Sequence, residues 1–134
     1  MNTLLNRRSI RRYKEDQVPN ELLDQVLTAG LYAPTGMNRQ NIIMVAVRDK
    51  ETLDLLSRMN AAVMGSDRDP FYGAPCVIVV LGDPEIYPVV ENGSLVLGNL
   101  MNAAYEIGVG NCILGYPDED PAPKPRREGR IVKV

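Results

Sequence analysis

Cys76-Val77-Ile78-Val79-Val80-Leu81 is an unbroken apolar run, and four of its six residues are β-branched. Branching at Cβ suits a pleated strand better than a helix, and the run is short for a globular helix. Its hydrophobicity is continuous rather than alternating, which predicts a central strand buried on both faces. Upstream, Ile42 to Val47 is a second branched, apolar run of strand length. Between the two, Leu53, Leu56 and Met59 recur at helical spacing over Asp49 to Met59, with Asp49 placed as N-cap. Ser66 to Pro75 is polar and carries Gly and Pro, so it reads as a surface loop.

Further upstream, Leu22, Leu23, Val26, Leu27 and Leu31 predict a helix over Glu21 to Tyr32, opened after Pro19. Ala33-Pro34-Thr35-Gly36 ends it, because proline disfavours helical geometry in Ala33 and cannot continue the turn. Downstream, Glu91 to Ile107 reads as a long, mostly buried helix. Its small residues Gly93, Ser94, Gly98, Ala103 and Ala104 permit close approach, at an internal seam or a subunit interface. Gly108-Val109-Gly110 ends that helix. Asn111 to Tyr116 reads as a short strand and Ile131 to Val134 as an edge strand. Strands alternating with helices predict a helix-flanked sheet, with residues 1–134 forming a single domain.

Composition narrows the chemistry. The 134 residues are 45% hydrophobic, enough for one core, and the formal net charge is −2, which argues against a general nucleic-acid binder. No run of about 18 apolar residues suggests a membrane span, and the N-terminus lacks the apolar core of a signal peptide. Cys76 and Cys112 lie in apolar runs and read as buried, reduced thiols, so a cytoplasmic location is expected. There is no histidine, which excludes Ser-His-Asp and Cys-His triads and the common His-bearing zinc sites. Neither a Walker lysine motif nor GxGxxG occurs. An enzyme built from this chain would therefore rely on a bound organic cofactor, with no metal and no side-chain nucleophile.

Charge supplies the strongest functional signal. Arg7-Arg8-Ser9-Ile10-Arg11-Arg12-Tyr13 packs four arginines into seven residues of an acidic protein. Guanidinium forks match phosphate and carboxylate geometry, and Ser9 can complete such a cradle. Taken alone, the segment reads equally as a solvated basic turn or a nucleic-acid contact. A second basic cluster, containing Lys124 and Arg126, stands at the far end of the chain.

Several ordered blocks together resemble the FMN-dependent nitroreductase family. Arg7 to Tyr13 is similar to the family's flavin-phosphate motif. Ala33-Pro34-Thr35-Gly36-Met37-Asn38-Arg39-Gln40 resembles its Ala-Pro-Ser-x-x-Asn-x-Gln loop, although Gln40-Asn41-Ile42 departs from the proline and tryptophan that usually follow. Phe71-Tyr72-Gly73-Ala74-Pro75 leads into the central strand. Asn92 to Leu100 resembles the long central helix, and Ile113 to Pro117 with Lys124-Pro125-Arg126 resembles the C-terminal block. The resemblance implies an α+β, three-layer α/β/α fold assembled as a homodimer, with FMN at the subunit interface.

It also implies roles for particular residues. Arg7, Ser9, Lys124 and Arg126 would hold the FMN phosphate. Arg8 would lie along the ribityl chain, and Arg11 would reach the pyrimidine edge, where a cation favours negative charge on the ring. Pro34, Thr35, Gly36, Met37 and Asn38 would be presented to the partner's flavin, although as a bare sequence they read as an ordinary helix-ending turn. Asn60 matches a family asparagine that contacts the ring, or is simply an exposed residue near a helix end. NAD(P)H would be the reductant and a nitroaromatic, quinone or related small molecule the acceptor.

One departure concerns turnover. In relatives the long helix is followed by Gly-x-Gly, a strand, a loop and another helix before a second Gly-x-Gly. Here Gly108-Val109-Gly110 passes directly into Asn111-Cys112-Ile113, as though the chain were joined across the two glycine motifs. The loop that normally supplies a backbone donor near flavin N5 is absent. Three readings follow: a reductase, a flavin-binding relative with little turnover, and an anion- or nucleic-acid-binding module using Arg7 to Arg12.

Overall fold

The computed structural model describes residues 2–122 and 124–131. A short helix, α1 (Asn2–Asn6), precedes α2 (Asn20–Leu31), a 3-10 turn (Gly36–Asn38), β1 (Ile42–Val47), α3 (Lys50–Val63), β2 (Cys76–Gly82), α4 (Val89–Glu106) and β3 (Ile113–Leu114). The strands form one antiparallel sheet in the order β1-β2-β3, with Met44 opposite Val80 and Cys76 opposite Leu114. The expected helices and the strands at Ile42–Val47 and Cys76–Gly82 are therefore present, α1 was not foreseen, and their boundaries move by a few residues. Asp49 does cap α3, its carboxylate accepting from Thr52 N at 2.9 Å.

The core lies between α2, α4 and one face of the sheet. Val26, Leu100, Ala104, Cys76 and Leu114 are fully enclosed, with Ile42, Met44, Ala46 and Val80 packed against them. Gly30 lets these layers close. A Cβ there would stand 2.9 Å from Leu100 Cδ2 and still nearer the Met44 side chain, so a larger residue would force one or both of these side chains to repack.

Two expectations need correction. β2 is buried on both faces only over Cys76, Val77 and Ile78, whereas Leu81 is exposed. The cause is one-sided cover. Residues that share a face with Ile78 and Val80 meet α2 and α4, while Ile43, Val45 and Leu81 on the opposite face are exposed. The predicted strand over Asn111 to Tyr116 shrinks to Ile113–Leu114, because the segment folds back on Val109 and Gly110: Gly110 bridges Leu114, Asn111 N donates to Ile113 O at 3.2 Å and Gly115 N to Val109 O at 3.1 Å. Ile131 lies in no strand, and the rest of the expected edge strand, 132–134, falls outside the described residues.

Both cysteines are free thiols. Cys76 is buried, and Cys112 is partly buried rather than enclosed. Burial pushes the Cys76 thiol up to about 11 and, as the largest influence, the Tyr13 phenol up to about 12. Both groups are held neutral by the fold, so their contribution to stability is complete below the unfolded-chain values near 9 and 10. It is lost as pH climbs through those values toward 11 and 12. The denaturant midpoint should therefore hold steady to about pH 9 and fall progressively above it. Tyr13→Phe should flatten part of that fall.

Candidate functional site

The two basic segments are more than a hundred residues apart in sequence, and a small backbone zip joins them. Tyr13 forms an antiparallel bridge with Pro117. Lys14 N donates to Tyr116 O at 2.9 Å, and Asp118 N donates to Arg12 O at 3.0 Å. Side chains reinforce the pairing: Arg12 Nε donates to Asp118 O at 2.7 Å and lies 3.1 Å from its carboxylate, and Arg11 N donates to the Glu119 carboxylate. Beneath the zip, Ile10, Tyr13 and Ala74 form a second small core, and the Tyr13 hydroxyl donates to Ile10 O at 3.2 Å.

The zip places the cations around a cavity of about 170 Å³ lined by Arg7, Arg8, Ser9, Arg11, Lys124 and Arg126, with Pro121 and Ala122. The six residues predicted from Arg7 to Arg11 and from Lys124 to Arg126 thus share one cavity, and among the described residues no carboxylate lines it. Among the described residues, the ion pairs are Arg12–Asp118 and Lys50–Asp54, and neither involves a cation of this cavity. Arg7 Nη1 donates to Asn111 Oδ1 at 3.2 Å. Arg8 Nη1 is fixed by the carbonyls of Leu5 and Arg7, at 2.9 and 2.8 Å, while its Nε is buried without a partner. Exposed cations are solvated, but a buried donor such as Arg8 Nε is costly unless an acceptor meets it. A second cavity of about 490 Å³ adjoins the first through Arg8 and Pro121, with Ile10, Tyr105, Gly108 and Glu119 among its walls.

The other predicted residues stand apart. Asn60 is exposed on α3, where its Nδ2 donates to Leu56 O at 2.9 Å, and it does not line the cationic cavity. Pro34 to Asn38 form a surface turn in which Met37 and Asn38, and Gln40 just beyond, adopt left-handed backbone angles. A larger cleft of about 570 Å³ beside α3 has neither set of residues. It carries both charge signs, with Arg48 and Lys50 bonded to neighbours, and so lacks the one-signed field of the smaller cavity.

Sequence reasoning did not single out Asn111, Asp118 or Glu119, whose roles depend on the zip. Asn92 was missed as well. Its signal was present, since it stands four residues before Val96 and eight before Leu100 on the buried face of α4.

The α+β fold thus brings five cationic side chains from the N-terminal segment and from residues 124–126 to one cavity. A family model described as the Nitroreductase family matches residues 4–122, and the chain belongs to that family. It is 34% identical over 123 residues to a protein of Archaeoglobus fulgidus provisionally named NADH dehydrogenase/NAD(P)H nitroreductase, covering 87% of this chain and 68% of the relative. It is 27% identical over 130 residues to the FMN reductase [NAD(P)H] of Bacillus subtilis, covering 84% of this chain but 52% of that protein. The fold is that of a Bacteroides fragilis nitroreductase crystallised with bound FMN, at a TM-score of 0.88 and 23% identity over 99% of this chain and 97% of that one.

Proposed function

We propose that the chain is an FMN-dependent NAD(P)H oxidoreductase acting as a homodimer. The observation that carries this reading is the convergence of Arg7, Arg8, Ser9, Arg11, Lys124 and Arg126 on one cavity without a carboxylate. That donor set fits a phosphate dianion: forked guanidinium groups, an ammonium and a hydroxyl, with Arg8 Nε in need of an acceptor. Arg7, Ser9, Lys124 and Arg126 hold the phosphate, and Arg8 follows the ribityl chain into the adjoining cavity. Arg11 shares the first cavity, so its guanidinium can serve the phosphate as well as the ring edge that the family resemblance assigns to it.

When bound, FMN supplies two-electron chemistry in ping-pong fashion, accepting hydride from NAD(P)H and delivering electrons to a nitroaromatic, quinone or related acceptor. The protein's own part is binding, orientation and charge, and no side chain serves as nucleophile or general base. The second reading, a flavin binder with little turnover, is favoured by one feature. Gly108-Val109-Gly110 leads within three residues into β3, leaving no loop after α4 to shape the N5 region.

Dimerisation is supported by the surface around the predicted loop. A Cβ on Gly36 would stand 2.6 Å from Pro88 Cγ, so the predicted loop packs against Pro88. Leu31, Tyr32, Met37, Tyr87 and Val90, in segments 31–37 and 87–90, are each at least 69% exposed. Exposed apolar side chains in both segments give an interface with a partner apolar surface to cover. If the loop serves the partner's flavin, oligomeric state and FMN retention should fall together on dilution. Sedimentation and flavin fluorescence measured on one dilution series check this, and a monomer that retains FMN would refute it. The reading as a whole is tested by the visible spectrum of the purified protein and its anaerobic bleaching by NADH or NADPH. Absence of flavin after incubation with FMN overturns it.

A further inference from the structure

We infer that Asn92, in the first turn of α4, is the positioning residue for the flavin-facing loop; the inference rests on the reading of Pro34 to Asn38 as a cofactor contact. Asn92 is 1% exposed and is the buried polar residue of the core. An amide in such a place is tolerated only when its groups are matched. Both of its matches reach out to the same loop. Gly36 N donates to Asn92 Oδ1 at 2.8 Å, and Asn92 Nδ2 donates to Asn41 Oδ1 at 2.9 Å. The two bonds grip the loop at both ends of the stretch 36–41.

That stretch needs a grip. Met37, Asn38 and Gln40 hold φ values of 54°, 53° and 48°, in a region that residues with a Cβ enter at a cost. Its internal bonds are all short-range: Asn38 N donates to Thr35 O at 3.0 Å, Arg39 N to Gly36 O at 3.2 Å, Gln40 N to the Thr35 hydroxyl at 3.1 Å and Gln40 Nε2 to Asn38 Oδ1 at 2.8 Å, so none of them ties the loop to the core. The buried side is held by Asn92 and by the contact between Gly36 and Pro88. Removing the amide leaves Gly36 N without an acceptor and frees the loop to relax out of its left-handed conformation. Asn92 touches no cofactor in this scheme and acts through Thr35 to Asn38.

Two measurements test it. The first needs no ligand: amide hydrogen exchange at Gly36. The amide should be protected in the wild type, lose at least tenfold protection in Asn92→Leu, and keep it in Asn92→Asp. Aspartate still accepts from Gly36 N, and the Asn41 amide, whose Nδ2 is buried without a partner, can turn to donate to it. Asn92→Ala substitutes for the leucine variant should that fail to fold. A Gly36 amide that exchanges in the wild type as fast as an exposed loop amide overturns the inference without any variant.

The second measurement is a double-mutant cycle on FMN affinity. Asn38→Ala should weaken binding by about three- to tenfold in the wild type but less than twofold in Asn92→Leu, with the larger effect returning in Asn92→Asp. Equal losses in all three backgrounds would mean that Asn92 merely fills the core, and would sink the inference. The two measurements separate the failures. A wild type that binds no FMN overturns the proposed function, while the exchange data still decide whether Asn92 sets the loop.

Discussion

The double variant Arg7→Ala/Arg126→Ala is expected to bind FMN at least 100-fold more weakly than the wild type, with riboflavin affinity unchanged within about twofold. Each charge-assisted hydrogen bond contributes roughly 1.5–3 kcal/mol. Two independent losses would therefore reach about 3–6 kcal/mol, or roughly 150-fold and upward. The lower bound applies because both residues face the same dianion, so their effects overlap. Single variants should lose about tenfold each. Riboflavin lacks the phosphate and is indifferent to the cluster, which makes it the internal control for folding. Arg58→Ala removes one cation from the cleft beside α3 and controls for net charge. Titrations at two salt concentrations add a check, since attraction between exposed charges is screened as ionic strength rises. Riboflavin bound as tightly as FMN by the wild type would overturn the assignment of this cavity.

How much of this was legible follows from the range of the interactions involved. The helices and strands were readable because their patterns are local: Val26 and Leu23 repeat on one face of α2, and Asp49 sits where its carboxylate can meet Thr52 N. Clustering of Arg7 to Arg12 was equally visible. Its meeting with Lys124 and Arg126 was reached only through a family resemblance, because the bond from Asp118 N to Arg12 O spans the whole chain and leaves no spacing to read. The over-burial of β2 shows the opposite limit. A continuous apolar run states that both faces are suited to burial, not that the chain provides both covers. Leu81, Ile43 and Val45 expose that difference. Asn92 could have been found by asking why a polar residue occupies the apolar stripe of α4.

The uncovered sheet face and the direct passage from Gly110 into β3 point to one experiment with a large expected effect. Hydride transfer depends on holding the nicotinamide at near-attack distance, and positioning of this kind is worth several kcal/mol of barrier. In this chain, α4 ends at Glu106, and within seven residues the backbone has turned into the ladder with β2, Cys76 opposite Leu114. Only the short connection 107–112 lies on that route, whereas the cationic cavity is assembled by the zip of 12–14 with 116–118 and does not depend on it. Binding and turnover should therefore separate. Grafting a relative's strand-loop-helix unit after Gly110 is expected to raise the rate of flavin reduction by NAD(P)H at least tenfold, about 1.4 kcal/mol of barrier. FMN affinity should change far less. Stopped-flow absorbance under anaerobic conditions gives the rate, and flavin fluorescence gives the affinity on the same samples. Two results would count against this account of the gap: equal reduction rates in the native chain and the graft, or a gain that arises entirely from tighter FMN binding.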